Sequence, residues 1–348
     1  MKFFWKILVS LLVGAACVWL TLRMIDLPAT LTAIRQTTFS AVAVYLVTLA
    51  ATHYFRATRW KYLLRPLGVS LPPARLLAAS SVGFMGILLL PVRLGEFIRP
   101  YYVVRTGQSR MSAVLGTVAV ERIVDGLVIS ILFFGCYLAA DANTYEAPLR
   151  LAAWVSLCGF VGLTVFLTLA LTWPDATVRT VLRFTLLAHL APSLGARIAD
   201  KLRALIEGFK VLHEPRDLLP FLAETILYWG SNGLGMWLLA RGMGLDISLP
   251  AAYAAMAFTG VLISLPNSPG LVGQFEAGVI LALRAYLPAE VLKSSGAAYA
   301  IALHGIQIVW YLSMGLLALL FVGGRATSLR QVVIESNRAA VEGGSGGQ

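Results

Sequence analysis

The chain has 348 residues, 58% hydrophobic and only 13% charged, with a formal net charge of +11. That charge content is about half the ~25% of soluble globular domains, and the apolar residues gather in runs near the roughly 20 needed to cross a bilayer core. A soluble enzyme is excluded, and so is nucleic acid as the reason for the basic balance: the Lys and Arg residues fall between apolar runs, as in cytoplasmic loops facing anionic lipid.

In chain order, the N-terminus MKFFWKILVSLLVGAACVWLTL has a basic start and stays apolar from Phe3 to about Leu22. It lacks a small-x-small exit, so it reads as an uncleaved first helix and not as a signal peptide. Full spans are predicted at about 5–25, 38–63, 111–139, 150–172, 218–242 and 297–323. Two further apolar segments, about 75–100 and 250–287, are interrupted by LLLPVRLGEF and LPNSPGLVGQFE. Proline and glycine clusters of this kind punctuate a helix, so each segment reads as helix, break, second helix. The stretch 174–217 mixes charged and apolar residues, with Ile198, Leu202, Leu205, Phe209 and Leu212 at helical spacing. It fits an amphipathic helix on the inner membrane surface, or equally a plain connector. Residues 326–348 read as a flexible tail. The expected fold class is therefore all-α: a polytopic membrane protein with about six full spans and two re-entrant hairpins, forming one transmembrane unit over 1–325.

The basic residues orient this layout. Lys2 and Lys6 place the N-terminus in the cytoplasm, and Arg56, Arg59, Lys61 and Arg65 end the second span there. The first broken segment has Arg75 before it and Arg99, Arg105 and Arg110 after it, so it enters and leaves from the cytoplasmic side. The third span delivers DANTYEAP, free of Lys and Arg, to the outside; the fourth returns to 174–217, with its seven basic residues. The second broken segment then enters from outside, and the last span ends near Arg325, Arg330 and Arg338. Arg241 is the one awkward charge. Each half, about 1–140 and 150–325, reads span, span, hairpin, span, from opposite sides of the membrane. GILLLPVRLGEF (86–97) can be laid beside GVLISLPNSPGLVGQF (260–275) with a four-residue insertion. Inverted repeats with broken helices are a transporter pattern, in which freed helix ends line a cavity.

Ionisable residues at membrane depth cost about 2.5–3.5 kcal/mol each on insertion scales, so each needs a partner or a task. Arg93, Glu96 and Arg99 would share one face if the chain is helical after Pro91. One carboxylate would then bridge two guanidinium forks suited to phosphate oxygens, with Gly95 permitting close backbone approach. The alternative is that they are interfacial arginines snorkelling to the cytoplasm. Glu121 and Asp125 lie one helical turn apart with Arg122 between them, and two like charges so close imply a nearby cation, Arg93 or Arg99, or a shared proton. They could equally be a structural ion-pair network. In the second hairpin, Ser268, Pro269 and Gly270 would break the helix and open its second half, with Gly273 following and Glu276 about two turns in. That helix end is a candidate anion site, or the stretch is a turn with a surface glutamate. Arg59-Trp60 fits an interfacial anchor. His304 and Gln307 are polar neighbours in the last span to which no role is given. Cys17, Cys136 and Cys158 lie in apolar runs, as buried small hydrophobes do. No zinc spacing, CxxC, P-loop or Ser/His/Asp arrangement occurs, so no metal or other cofactor is expected.

Taken together, Pro91-x-Arg93-x-Gly95-Glu96-x-x-Arg99, Glu121-Arg122-x-x-Asp125, Ser268-Pro269-Gly270-x-x-Gly273-x-x-Glu276 and Arg59-Trp60 resemble the lysylphosphatidylglycerol synthase transmembrane-region family, also called flippase-like. The resemblance covers about residues 5–323. It departs at Leu271, where the family pattern has a second glycine. It implies a lipid flippase without the soluble aminoacyl-transferring domain, with Arg59, Arg93, Gly95, Glu96, Arg99, Glu121, Arg122, Asp125, Ser268, Pro269, Gly270, Gly273 and Glu276 at the substrate. Membrane lipids with anionic headgroups are the implied partners, together with a lipid or glycolipid synthase. The family does not fix which lipid: phospholipid, aminoacyl-phospholipid, hopanoid and polyprenyl-linked substrates all occur. The rival readings are an intramembrane lipid-modifying transferase, with Glu121 or Asp125 as base or metal ligand, and a non-transporting partner of a lipid synthase.

Overall fold

The computed structural model describes residues 19, 26–90, 95–105, 109–139, 147–184, 215–264 and 269–322. Among them every regular element is helical. The first helix, α1 (Leu27–Arg35), starts on Asp26, whose carboxylate accepts the Ala29 N–H at 3.2 Å. It meets α2 (Phe39–Thr58) at an 85° bend. A short α3 (Trp60–Leu64) and a 3₁₀ turn follow, closed by Gly68 at φ 74°. The first broken segment is α4 (Pro73–Leu89), a break, a 3₁₀ turn over 95–97 and α5 (Ile98–Val104). Then come α6 (Met111–Ala139), α7 (Ala147–Thr172), α8 (Pro174–Phe184) and α9 (Pro215–Gly242). The second broken segment is α10 (Leu249–Leu262), capped by Ser248, then a 3₁₀ turn Pro269–Leu271 and α11 (Gln274–Leu283). A π-turn over Leu292–Gly296 leads into α12 (Ala297–Val322).

The predicted spans at 38–63, 111–139, 150–172, 218–242 and 297–323 return as helical segments with nearly the same bounds, and both interrupted segments return as helix, break, helix. The predicted first span apart from Trp19, residues 185–214 of the amphipathic stretch 174–217, and the tail lie outside the described residues; the start of that stretch is the helix α8. Among the described residues, two segments combine the length and apolarity of a span: Leu149–Phe166, and Ala289–Leu320, which takes in α12. The bent α1–α2 pair makes a third. At 29 residues, α6 would extend about 43 Å at 1.5 Å per residue, but it carries Glu121, Arg122 and Asp125 in its middle.

Packing exchanges elements between the two halves. Helix α2 lies along α9; α4 of the first hairpin packs against α12; α10 of the second hairpin packs against α6. The α4 helix also touches the Pro269–Leu271 turn, so the two hairpins meet. Small residues allow the hairpin limbs to cross closely. A Cβ at Gly83 would overlap the Arg99 side chain, one at Gly95 the backbone of Gly86 and Ile87, and one at Gly278 would press on Thr259. The expected close approach at Gly95 is therefore seen. Cysteine burial is not: Cys136 is half-buried and Cys158 is exposed on α7. That helix turns much of its apolar side outward, Leu151, Trp154 and Val155 included, as a lipid-facing helix does.

Candidate functional site

The site begins with a buried ion network. Arg59, at the α2–α3 junction, is fully buried. Its Nη1 and Nη2 each donate to one oxygen of Asp125 at 2.7 Å, and its Nε lies 3.4 Å from Glu121. Nη1 also donates to Thr225 on α9 at 3.0 Å, and the guanidinium lies over the Tyr228 ring at 4.8 Å. Trp229 donates its indole N–H to Asp125 at 3.1 Å. Arg99, from α5, donates Nη1 to Glu121 at 2.9 Å and stacks on Trp60 at 4.3 Å. Trp60 itself donates to Thr117 at 2.9 Å. Both acids on α6 are thus neutralised by arginines from outside that helix. Bidentate pairing is the geometry in which buried charges can repay desolvation.

Several expectations are corrected here. Glu121 meets one of the two expected cations, Arg99, at 2.9 Å, whereas the cation of Asp125 is Arg59, because the α2–α3 junction is driven into the core next to α6; Arg59-Trp60 is no interfacial anchor. Glu96 does not bridge to Arg99. The 3₁₀ turn sends Glu96 toward Arg122, 3.7 Å away, while Arg99 turns to Glu121. Arg122 also lies 3.9 Å from Asp125. Arg93 and Ser268 lie outside the described residues.

The second hairpin is held differently. Pro269 opens a 3₁₀ turn and not the α-helix; Gly270 (φ 71°), Leu271 (φ 58°) and Gly273 (φ 83°) wind the chain through left-handed conformations. The helix starts only at Gln274, so Glu276 sits in its first turn and not two turns in. One Glu276 oxygen accepts the Gly273 N–H at 2.8 Å; the other lies 2.6 Å from His304 Nδ1 on α12. Phe275 stacks on that imidazole with ring centroids 4.4 Å apart. The helix end therefore receives its own glutamate. His304, given no role from the sequence, belongs to this arrangement. A single buried histidine in an apolar run carries no signal of its partner 28 residues away.

Between the hairpins lies a cavity of about 390 Å³, within the ~300–1,000 Å³ of small-molecule sites. Its walls come from both hairpins and from α2, α6, α7, α9 and α12. The polar residues on it include Arg56, Glu96, Arg122, Asp125, Asn232 and His304; Phe84, Tyr228, Trp229, Phe275 and Tyr311 supply aromatic surface. Of the candidates named from sequence, Glu96, Arg122 and Asp125 reach the wall. Arg59, Arg99 and Glu121 do not line it and stand behind it as its support, and Gly95, Pro269, Gly270, Gly273 and Glu276 shape the hairpins.

Against known proteins, the family model for the lysylphosphatidylglycerol synthase TM region matches residues 7–333. The chain belongs to this family. No curated protein and no solved structure matches it. Membership in the lysylphosphatidylglycerol synthase TM-region family makes this a membrane protein and ties it to membrane lipid. It agrees with the resemblance carried by the three clusters. Among the described residues, no group of three or more His, Cys, Asp or Glu could hold a metal ion.

Proposed function

We propose that the protein translocates a lipid with an anionic headgroup across the bacterial inner membrane, the headgroup passing through the cavity between the hairpins while the acyl chains stay in the bilayer. The observation that carries this reading is the cavity itself: a charged, aromatic-walled space built by both broken segments inside an otherwise apolar helical body. Non-helical backbone at membrane depth is tolerated where it lines such a space. The exchange of packing partners, α4 on α12 and α10 on α6 with α2 against α9 between them, is what an inverted repeat of two halves would produce. We infer six full spans and two re-entrant hairpins, with both termini in the cytoplasm, on the basis of the loop charges. Rocking of one half against the other would open the cavity to each side in turn.

A transferase reading is weaker on this geometry. The carboxylates that would serve as base or metal ligand, Glu121 and Asp125, are both held by guanidinium groups, and Glu121 does not line the cavity. The test is leaflet exchange of fluorescent phosphatidylglycerol, phosphatidylethanolamine and polyprenyl phosphate in proteoliposomes. Exchange faster than in empty liposomes for at least one anionic lipid, and slowed by Arg122→Ala, is expected. Rates equal to empty liposomes for every lipid would overturn the proposal; a new covalent lipid species by mass spectrometry would favour the transferase.

A further inference from the structure

Helix α1 lends no residue to the cavity wall, and it has three unlike sides. At about 100° per residue, Thr30 and Ala33 fall on one side, Leu27, Leu31 and Ile34 on a second, and Thr32, Arg35 and the C-cap Gln36 on a third. The first side is taken up by the protein: α1 packs on α12 and on the π-turn Leu292–Gly296, and Thr30 is fully buried. The second stays open in the folded chain, with Leu27 50% and Leu31 48% exposed; Phe39, just past the bend, is 86% exposed. The third side is polar and exposed.

The bend decides what surrounds the two open sides. Helix α2 has 20 residues. At 1.5 Å per residue it extends about 30 Å, enough to cross the hydrocarbon core without help from α1. Turned 85° from it, α1 runs along the membrane plane at the level where α2 begins. A helix so placed meets acyl chains on one side and headgroups and water on the other. Leu27, Leu31 and Phe39 suit the first environment. Thr32, Arg35 and Gln36 suit the second, and the long stem of Arg35 lets its guanidinium rise to the phosphates.

We propose that α1 is a surface anchor: it lies in the headgroup–acyl boundary of the bilayer with Leu27 and Leu31 toward the acyl chains, and it fixes the start of α12 at that level. The link to α12 is the Lys293 carbonyl in the π-turn, which accepts the Asp26 N–H at 2.9 Å and the Thr30 hydroxyl at 3.4 Å. Helix α12 in turn carries His304, Gln307 and Tyr311 to the cavity wall. The membrane surface is thus tied to one wall of the cavity through α1. The partner is the bilayer interface itself and not a transported lipid. This inference rests on α2 as a full span, as proposed above, and is independent of what passes through the cavity.

The experiment is spin labelling of the purified full chain, without its native cysteines, in nanodiscs of phosphatidylethanolamine and phosphatidylglycerol. Depth is read from collisions with oxygen and with a water-soluble nickel complex. Leu27→Cys and Leu31→Cys report the apolar side, and Thr32→Cys and Gln36→Cys the polar side. Val47→Cys on α2, 71% exposed, is the deep reference, and Asp246→Cys, its native side chain 94% exposed, the aqueous one. Labels at 27 and 31 are expected about 5–10 Å into the boundary, shallower than at 47, with labels at 32 and 36 close to the aqueous reference. Labels at 27 and 31 matching the aqueous reference overturn the anchor, because α1 then stands off the membrane. Labels there as deep as at 47 overturn it too, because α1 is then immersed. Protection from both probes overturns it in favour of a protein cover, the first predicted span or a second copy of the chain. The tether is read by amide hydrogen exchange. Leu27→Asp combined with Leu31→Asp should speed exchange over Leu292–Gly296 by about tenfold and leave α9 unchanged. Thr30→Val, which removes one of the two donors, gives a smaller shift of the same kind if the double variant does not fold. Unchanged exchange in variants that elute as folded protein overturns the tether. The expected label pattern without leaflet exchange defeats the transport reading alone, and leaflet exchange without that pattern defeats this inference alone.

Discussion

Leu271 is the described non-glycine residue with positive φ, at 58°. A side chain there costs roughly 1–2 kcal/mol against the following carbonyl. Leu271 repays part of this by packing on the main core cluster and lining the cavity. Leu271→Gly should therefore leave the thermal midpoint in detergent nearly unchanged, strain relief offsetting lost packing. Leu271→Val, β-branched in a left-handed position, should lower it clearly. At Arg59 the stakes are larger. Removing one partner of a buried pair strands the other, at about 3–5 kcal/mol, so Arg59→Gln should unfold far below wild type whereas Arg56→Gln should not. Thermal melts of the two variants side by side check this. Equal losses would mean that Arg56 has a structural partner.

Among the elements, the first hairpin depends on small residues and one charge pair. Gly95 passes against the backbone of Gly86 and Ile87, where no side chain can yield. Gly95→Ala should drive α5 off α4, seen as loss of monodisperse protein on extraction. Arg99 crosses to Glu121 on α6, so Arg99→Glu and Glu121→Arg should each impair folding, with the double reversal recovering part of the loss. A double-mutant cycle on the melting midpoints measures this coupling; Arg59 beside Glu121 will limit the recovery, since a reversed residue 121 would face it with like charge. The second hairpin is closed by a glutamate: its helix start is held by Glu276, which also reaches α12 through His304. The two hairpins thus reach the helix that follows them, α6 and α12 respectively, by different chemistry.

For the molecule as a whole, the proposed arrangement fixes which loops face which side. In a background without native cysteines, a cysteine at Ser70, between α3 and α4, should react with an impermeant maleimide only when the cytoplasmic face is open. A cysteine at Asp246, between α9 and α10 with its side chain 94% exposed, should react only from the other side. Labelling of both from one face would remove the inverted repeat. The packing of α2 on α9 is tied by Glu224, which accepts from Thr58 at 2.6 Å and from Lys61 at 2.8 Å, a contact between the halves that no local pattern announced.

Hydropathy alone determined most of the elements. Apolar runs must become helices in a bilayer because only a helix pairs its own backbone groups, and the clusters of proline with glycine in LLLPVRLGEF and LPNSPGLVGQFE signal breaks that a lone proline, such as Pro220 inside α9, does not impose. The residues that carry charge at depth were also legible, since each is too costly to be idle. What only the tertiary structure decided was the pairing. Arg59 finds Asp125 across 66 residues and His304 finds Glu276 across 28, and charge attraction acts through space with no trace in sequence spacing. For that reason the sequence pointed to Arg93, Arg99 and Arg122 as the headgroup arginines, whereas the fold commits Arg99 to Glu121, keeps Arg122 on the cavity wall and adds Arg56 to it.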